Sequence, residues 1–578
     1  MKKLSILFFS LFFISISSQE NIKYQKPSKE ILDLVEFERP PSILYDENKN
    51  FMLFLFRDNY KSIAELSAKE LRLGGLRIDP KTNIGSRVTY YNNVKIRNLK
   101  NKKSEITQVK GLPKNPKLSN ISWSPDQKRI ALTNTTETGV ELWVLELENG
   151  SVKKLTESNL NSNIGSVINW FSDSENMLVK MISNNRRPLI DTNKIVPDGP
   201  TISTNFGEKA QNRTYQDLLK NKFDEHNFEQ LSTSTIYKVS IDGSVKKWMD
   251  DGMYRTISFS PNGEYVMISQ INKPFSYLVT YSRFPTETNI YNKDGDFVSN
   301  LQKVPLIEEL PKGFMSVRTG KRSFSWRPDK GASLTYVTAL DSGDPSKKVD
   351  FRDEVYELNY PFSGKGKFIL KTINRFSGID WGTKDMAIAY DTWWNTRNRK
   401  SYVFNPSNPN IKPKIISDRN YQDTYSDPGS FLRSRNEFNR SVLKMHYGNI
   451  FLRGQGFSPS GQFPFIDKVN TKTFEKTRVY QSSYTDKIES IIDYDPKKNQ
   501  LTVSIESPSE YPNYYTKKVK SGKLEKLTNL KNPFLELQNV KKEKITYLRN
   551  DGVELSGILY LPLNYDKEKK EKMPMILW

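Results

Sequence analysis

One short unit recurs along this chain and limits what it can fold into. An apolar residue, a small polar residue and a large aromatic lead into a polar turn, and an alternating apolar strand follows. Ile121-Ser122-Trp123-Ser124-Pro125-Asp126 precedes a strand at residues 129–132. Ile168-Asn169-Trp170-Phe171-Ser172-Asp173 precedes residues 177–179, and Ile257-Ser258-Phe259-Ser260-Pro261-Asn262-Gly263 precedes residues 265–268. Phe324-Ser325-Trp326-Arg327-Pro328-Asp329 leads to residues 334–337, and Ile379-Asp380-Trp381-Gly382 to residues 386–389. Weaker copies start at Ile43 and Ile492.

Each copy reads as one strand, a tight turn and a returning strand, because Pro-Asp and Pro-Asn-Gly suit the central positions of β-turns. The aromatic before the turn is placed to pack between neighbouring sheets. Trp123 and Trp170 are 47 residues apart, and Trp326 and Trp381 are 55 apart. A four-stranded propeller blade needs ~40–45 residues. Unrelated hairpins in a sandwich would not repeat one order of residues. The expectation is an all-β chain with a β-propeller of about seven blades over residues 40–540. Residues 450–453 and 465–467 read as further strands that could make an eighth.

Two insertions carry helical spacing. Residues 62–73 (SIAELSAKELRL) end at Gly74-Gly75, which reads as a helix stop, and residues 214–230 form a second helical stretch. At the N-terminus, Lys2 and Lys3 precede an apolar run over residues 4–16 and small residues Ser15, Ser17 and Ser18. That order marks residues 1–18 as a secretory signal peptide, followed by an N-terminal segment at residues 19–39. It implies a periplasmic or secreted protein. No later segment approaches the ~20 apolar residues of a membrane-spanning helix. With no cysteine, disulfides and thiolate metal sites are excluded. The net charge of +22 is spread through the chain without a basic tail, so nucleic acid is not the expected partner. An acidic substrate or partner, and a solvated Lys-rich surface with no role, both stay open.

Residues 541–578 read as the start of another domain. Residues 545–548 and 553–561 form two strands around the Asn550-Asp551-Gly552 turn, and Pro562 stops the second. Met575-Ile576-Leu577-Trp578 reads as the opening of a third strand. A buried strand without a neighbour leaves backbone groups unsatisfied, so more chain is expected beyond Trp578.

Catalytic motifs are sparse. His226 and His446 are the two histidines, and neither has a second ligand at metal spacing. No Gly-x-Ser-x-Gly occurs, and Gly456-Phe457-Ser458-Pro459-Ser460-Gly461 reads as a hairpin turn. No catalytic residue, metal site or cofactor is expected.

Several motifs resemble a known family. The C-terminal stretch is similar to the entry into the α/β-hydrolase domain of prolyl oligopeptidase-type serine peptidases. Residues 73–80 (LGGLRIDP) resemble the glutamyl endopeptidase branch of that family. So do Pro197-Asp198-Gly199-Pro200, residues 213–219 (RTYQDLL), Pro274-Phe275-Ser276-Tyr277, Arg283-Phe284-Pro285, residues 316–327 and residues 456–467. The resemblance implies a propeller that restricts access to a serine peptidase domain, truncated here to its first strands. It implies peptide substrates, acidic ones among them, cut after glutamate. A buried glutamyl side chain calls for cations, and arginine offers bidentate pairing. Lys273, Arg283, Arg318 and Arg322 lie in or near the matched motifs and are the candidate substrate-binding residues. The Ser-Asp-His triad would lie beyond Trp578, and the chain alone should be inactive. A stand-alone propeller that binds a peptide or protein partner is the alternative.

Overall fold

The computed structural model describes residues 25–578 except 102, 192–193, 197–198, 200–213 and 570. The proposed signal peptide, Pro197, Asp198 and Pro200 of one motif and Arg213 of another lie outside the described residues.

Residues 40–532 form one compact unit. Within it the chain makes four-stranded antiparallel sheets in sequence order. Their first strands are Ser42–Tyr45, Leu118–Trp123, Ile168–Trp170, the second half of Val245–Phe259, Arg322–Trp326, Arg375–Thr383, Ser430–Phe431 and Ile488–Asp495. The strand Val245–Phe259 is shared: its first half closes the third sheet and its second half opens the fourth. Among the described residues this gives eight units, the seventh with a fifth strand at Met445–His446, where the sequence suggests about seven. The extra unit is the seventh, at residues 430–481, where no aromatic–turn copy stands.

Apolar cores join neighbours in order. Leu53 and Ile96 of the first sheet pack with Leu118 and Ile130 of the second. Val140 and Leu142 meet Trp170 and Met177 of the third. Leu178 meets Ile257 and Phe259 of the fourth, and Met267 meets Trp326 of the fifth. Val355 meets Trp381 of the sixth, Ile388 meets Ile450 of the seventh, and Phe451 meets Tyr494 of the eighth. The eighth then returns to the first. Arg97 donates to the Leu527 carbonyl, the Tyr45 and Tyr514 rings lie 6.4 Å apart, and Lys49 Nζ is 3.7 Å from Asp493. The sheets therefore close into a ring, the arrangement of a β-propeller.

The recurring turn has a physical anchor. In the second sheet Ser124 Oγ donates to Asp126 Oδ1 at 2.6 Å and accepts from Arg129 N–H at 3.0 Å. Ser260 Oγ makes the same pair of bonds with Asn262 and Tyr265. The serine thus ties the turn to the returning strand.

Antiparallel connectivity gives the ring two faces. Turns between first and second strands lie on one, here called the turn face. Connections between second and third strands, and the links between sheets, lie on the other, the loop face. The ring's chain begins and ends on the loop face, and the insertions sit there too.

Both helical expectations change. Helix forms only at Ile63–Leu66, where Ser62 and Glu65 make a reciprocal capping box. Residues 71–79 are instead a hairpin of Leu71–Leu73 with Leu76–Asp79. Gly74 and Gly75 have φ of +59° and +91°, which suits a two-residue hairpin turn better than a helix end. The second helix is Lys222–Ser232, and Asn221 Oδ1 caps it by accepting from Asp224 N–H at 2.9 Å.

The described residues before Pro40 and those after Asn532 form a smaller compact unit. It holds a helix, Lys29–Val35, and a hairpin of Lys541–Leu548 with Glu554–Leu561. Phe37 packs edge-on to Phe534 at 4.5 Å, so the N-terminal segment joins the chain that follows the ring. The third strand expected at Met575 does not form: the described residues from 571 onward are irregular, with the Trp578 ring 5.7 Å from that of Tyr560 on the hairpin.

Candidate functional site

Four of the motifs that carry the family likeness, residues 73–80, 213–219, 274–277 and 283–285, are far apart in sequence and meet on the loop face. Leu73 and Ile78, Leu219 and Phe228, and Phe275 and Phe284 share one apolar core. Backbone bonds stitch it together: Gly75 N–H donates to Asp217 O and Tyr281 N–H to Gly74 O, both at 2.8 Å. The approach is close, since a Cβ on Gly75 would lie 2.7 Å from Thr280 Cγ2. At the edge of this core Arg77 Nε donates to the Asp217 carboxylate, and Arg72 Nε lies 3.8 Å from it. The Arg77–Asp217 pair joins two quoted motifs and was legible only once they were brought together.

The four candidate cations separate into two groups. Lys273 and Arg283 belong to the loop-face module. Lys273 Nζ pairs with Glu229 at 2.8 Å while its side chain stays exposed, and Arg283 is buried with its guanidinium over the Tyr215 ring. Arg318 and Arg322 lie at the start of the fifth sheet. Arg318 donates to Gln302 Oε1 at 2.7 Å and to the carbonyls of Thr319 and Lys321. Arg322 Nη2 lies 2.5 Å from the fully buried Asp353.

That aspartate is part of an interface lock. Arg375 of the sixth sheet donates to Asp341 at 2.7 Å and Asp353 at 3.1 Å in the fifth. Burial pushes the Asp341 carboxyl up, but hydrogen bonds from Arg375 and Arg352 outweigh it and hold the group below its ordinary value. Arg322 therefore takes part in a structural network.

The turn face holds a different site. A cavity of about 1050 Å³ opens among the turns of the first, second, seventh and eighth sheets. Lys and Arg outnumber Asp and Glu in its lining, with Arg435, Lys444, Lys497, Lys498 and Lys518 among them, and His446 lines it too. Lys444 is tied to Asp493 at 2.6 Å. Scattered through the sequence, these residues gave no local signal. His226, by contrast, sits on the helix Lys222–Ser232 with Nε2 2.9 Å from Pro188 O. Among the described residues no group of three His, Cys, Asp or Glu side chains is placed to hold a metal ion. No described helix is long and apolar enough to cross a membrane.

No family model matches the chain. It is 32% identical over 583 residues to a protein of Oryza sativa subsp. japonica named probable glutamyl endopeptidase, chloroplastic, covering 96% of this chain and 62% of that one. The protein of the same name from Arabidopsis thaliana is 31% identical over 588 residues, covering 96% of this chain and 60% of that one. The chain thus spans about three fifths of the curated relatives it matches. Among solved structures, Porphyromonas gingivalis dipeptidyl peptidase 4 overlaps at a TM-score of 0.47 with 11% identity, covering 94% of this chain and 68% of that one. A Pyrococcus horikoshii acylaminoacyl peptidase overlaps at 0.39 with 12% identity, covering 92% and 58%. Overlaps this loose carry no weight on function.

Proposed function

The chain is homologous to the glutamyl endopeptidases, of prolyl oligopeptidase type, over 96% of its length, and from that premise we propose that it is the propeller part of a serine peptidase. The observation that carries the reading is the 32% identity along 96% of the chain. The gathering of four of the family-like motifs into one loop-face core supports it. In the whole protein, on this reading, a serine activated by histidine attacks the peptide carbonyl and an oxyanion hole holds the tetrahedral charge. Those groups belong to a catalytic domain of which the hairpin Lys541–Leu548 and Glu554–Leu561 is the beginning. The hairpin leaves Leu548 71% and Ile558 63% exposed, as strands awaiting cover would.

The eight-sheet ring is the gate in this account, and glutamate preference comes from cations that meet the substrate carboxylate. Lys273, exposed at the edge of the loop-face module, is the candidate for that contact, whereas the donors of Arg318 are engaged by Gln302 and backbone carbonyls and Arg322 lies beside the buried Asp353. Export follows from the charged, apolar and small-residue order of the first residues.

The test is expression of the full reading frame beside this chain, with fluorogenic peptides bearing Glu or Gln before the scissile bond. Turnover by the longer protein with preference for Glu, and none by this chain alone, is the expected result. Hydrolysis by this chain, or equal use of Gln, contradicts the proposal. The basic turn-face cavity favours a second reading, a propeller that binds acidic peptides on its own. It predicts salt-sensitive binding of a Glu-rich peptide by this chain.

A further inference from the structure

In the seventh sheet the expected turn is replaced by a hairpin, Arg433–Arg435 paired with Ser441–Leu443. It leaves the sheet between its first and second strands, since Lys444 N–H returns to Leu432 O at 2.8 Å. It therefore projects from the turn face beside the ring axis. An ordinary hairpin tip stands in water, but Asn436, Phe438, Asn439 and Arg440 are all half-buried.

What covers the tip is the other side of the ring. Arg440 Nη2 donates to the carbonyls of Phe259 at 3.0 Å and Ser260 at 3.1 Å, in the turn of the fourth sheet. Asn436 Nδ2 donates to Pro328 O at 2.7 Å in the turn of the fifth. Arg433 Nη2 lies 2.5 Å from Asp380 of the sixth sheet, and Arg435 Nε lies 3.9 Å from Glu47 of the first. Asn436 also holds its own turn, with Oδ1 accepting from Phe438 and Arg440 N–H at 3.1 and 2.9 Å. One hairpin thus touches turns from both sides of an eight-sheet ring.

We propose that this hairpin is a strap that closes the axial opening on the turn face, latched by Arg440 and Asn436 on backbone carbonyls. Carbonyl acceptors are present whatever the side chains of the facing turns, and a guanidinium is always charged, so the latch holds across the ordinary pH range. The strap stands whether or not the chain belongs to a peptidase, and its test needs no catalysis.

The chain has no cysteine, so one introduced thiol reports alone. Ser325 is exposed on the first strand of the fifth sheet, close to the turn face. In the full chain carrying Ser325→Cys, labelling by N-ethylmaleimide and by a bulky polyethylene-glycol maleimide is compared with and without the latch. The added pair Arg440→Ala and Asn436→Ala should speed bulky labelling by about tenfold, because a hydrogen bond from a charged donor is among the stronger ones. N-ethylmaleimide labelling should change much less. Replacing residues 434–442 by an Asn-Gly turn should speed bulky labelling further, with thermal melting as the check on folding. Should that variant not fold, the latch pair decides. Bulky labelling that is equally fast with the strap intact overturns the proposal.

Discussion

Trp326 donates its indole N–H to the Ser258 carbonyl of the preceding sheet at 3.0 Å. Trp170 does the same to Ser122 at 3.2 Å. In each case the aromatic before the turn fills the space between two sheets and pins one to the other. Trp326→Phe keeps most of the packing and leaves a carbonyl unpaired, so it should cost about 1 kcal/mol. Trp326→Ala also opens a cavity and should cost about 3–5 kcal/mol. Chemical unfolding of the two variants measures both, and equal losses would show that packing contributes little.

Gly75 carries the closest approach in the loop-face module. Gly75→Ala must hold φ near +91° and place a Cβ 2.7 Å from Thr280 Cγ2. Left-handed strain and overpacking together should cost about 2–4 kcal/mol. Adding Thr280→Ser removes the nearest atom and should recover part of the loss. Full recovery would mean that the backbone conformation costs nothing.

The Arg375 lock should show in acid. Asp341 is held below its ordinary value in the fold, so its stabilising share is complete above the unfolded value of about 4 and is lost as pH falls through the lower folded value. Arg375→Ala leaves Asp341 with Arg352 and Asp353 with Arg322 alone, and should cost about 1.5–3 kcal/mol at neutral pH. Asp341→Asn should make the stability curve shallower below about pH 4. An unchanged acid limb would remove Asp341 from the account.

Lys180 acts in the opposite range. Its ammonium donates to the Ile164 carbonyl, and burial pulls its pKa down to about 7. Between that value and the unfolded value of about 10.4 the folded chain binds fewer protons than the unfolded one, so stability should rise with pH. The contribution is at most about 1.4 kcal/mol per pH unit. Lys180→Met should flatten the rise, and unfolding midpoints from pH 7 to 10 would reveal it.

The repeating units were legible because each depends on local chemistry: the Ser-Pro-Asp turn binds itself, and alternation marks the returning strand. The seventh sheet was poorly legible because residues 433–443 stand where that turn would be and its first strand is only Ser430–Phe431. Residues 71–79 misled because Leu71, Leu73, Leu76 and Ile78 serve a hairpin, and Gly-Gly suits a hairpin turn as well as a helix end. The fate of the cations was not legible at all. Arg322 meets Asp353 and Arg440 meets Phe259 through long-range packing that no short window of sequence contains.

The ring itself has the most direct test. Asn48 and Lys497 lie on turns of the first and eighth sheets and line one cavity. Spin labels at Asn48→Cys and Lys497→Cys, free of native thiols, allow electron–electron double resonance to read the span between the ends. A closed ring predicts a single short distance, below about 30 Å. Sheets stacked ~10 Å apart in an open row would place the ends roughly 70 Å apart, and a distance of that order would contradict the account.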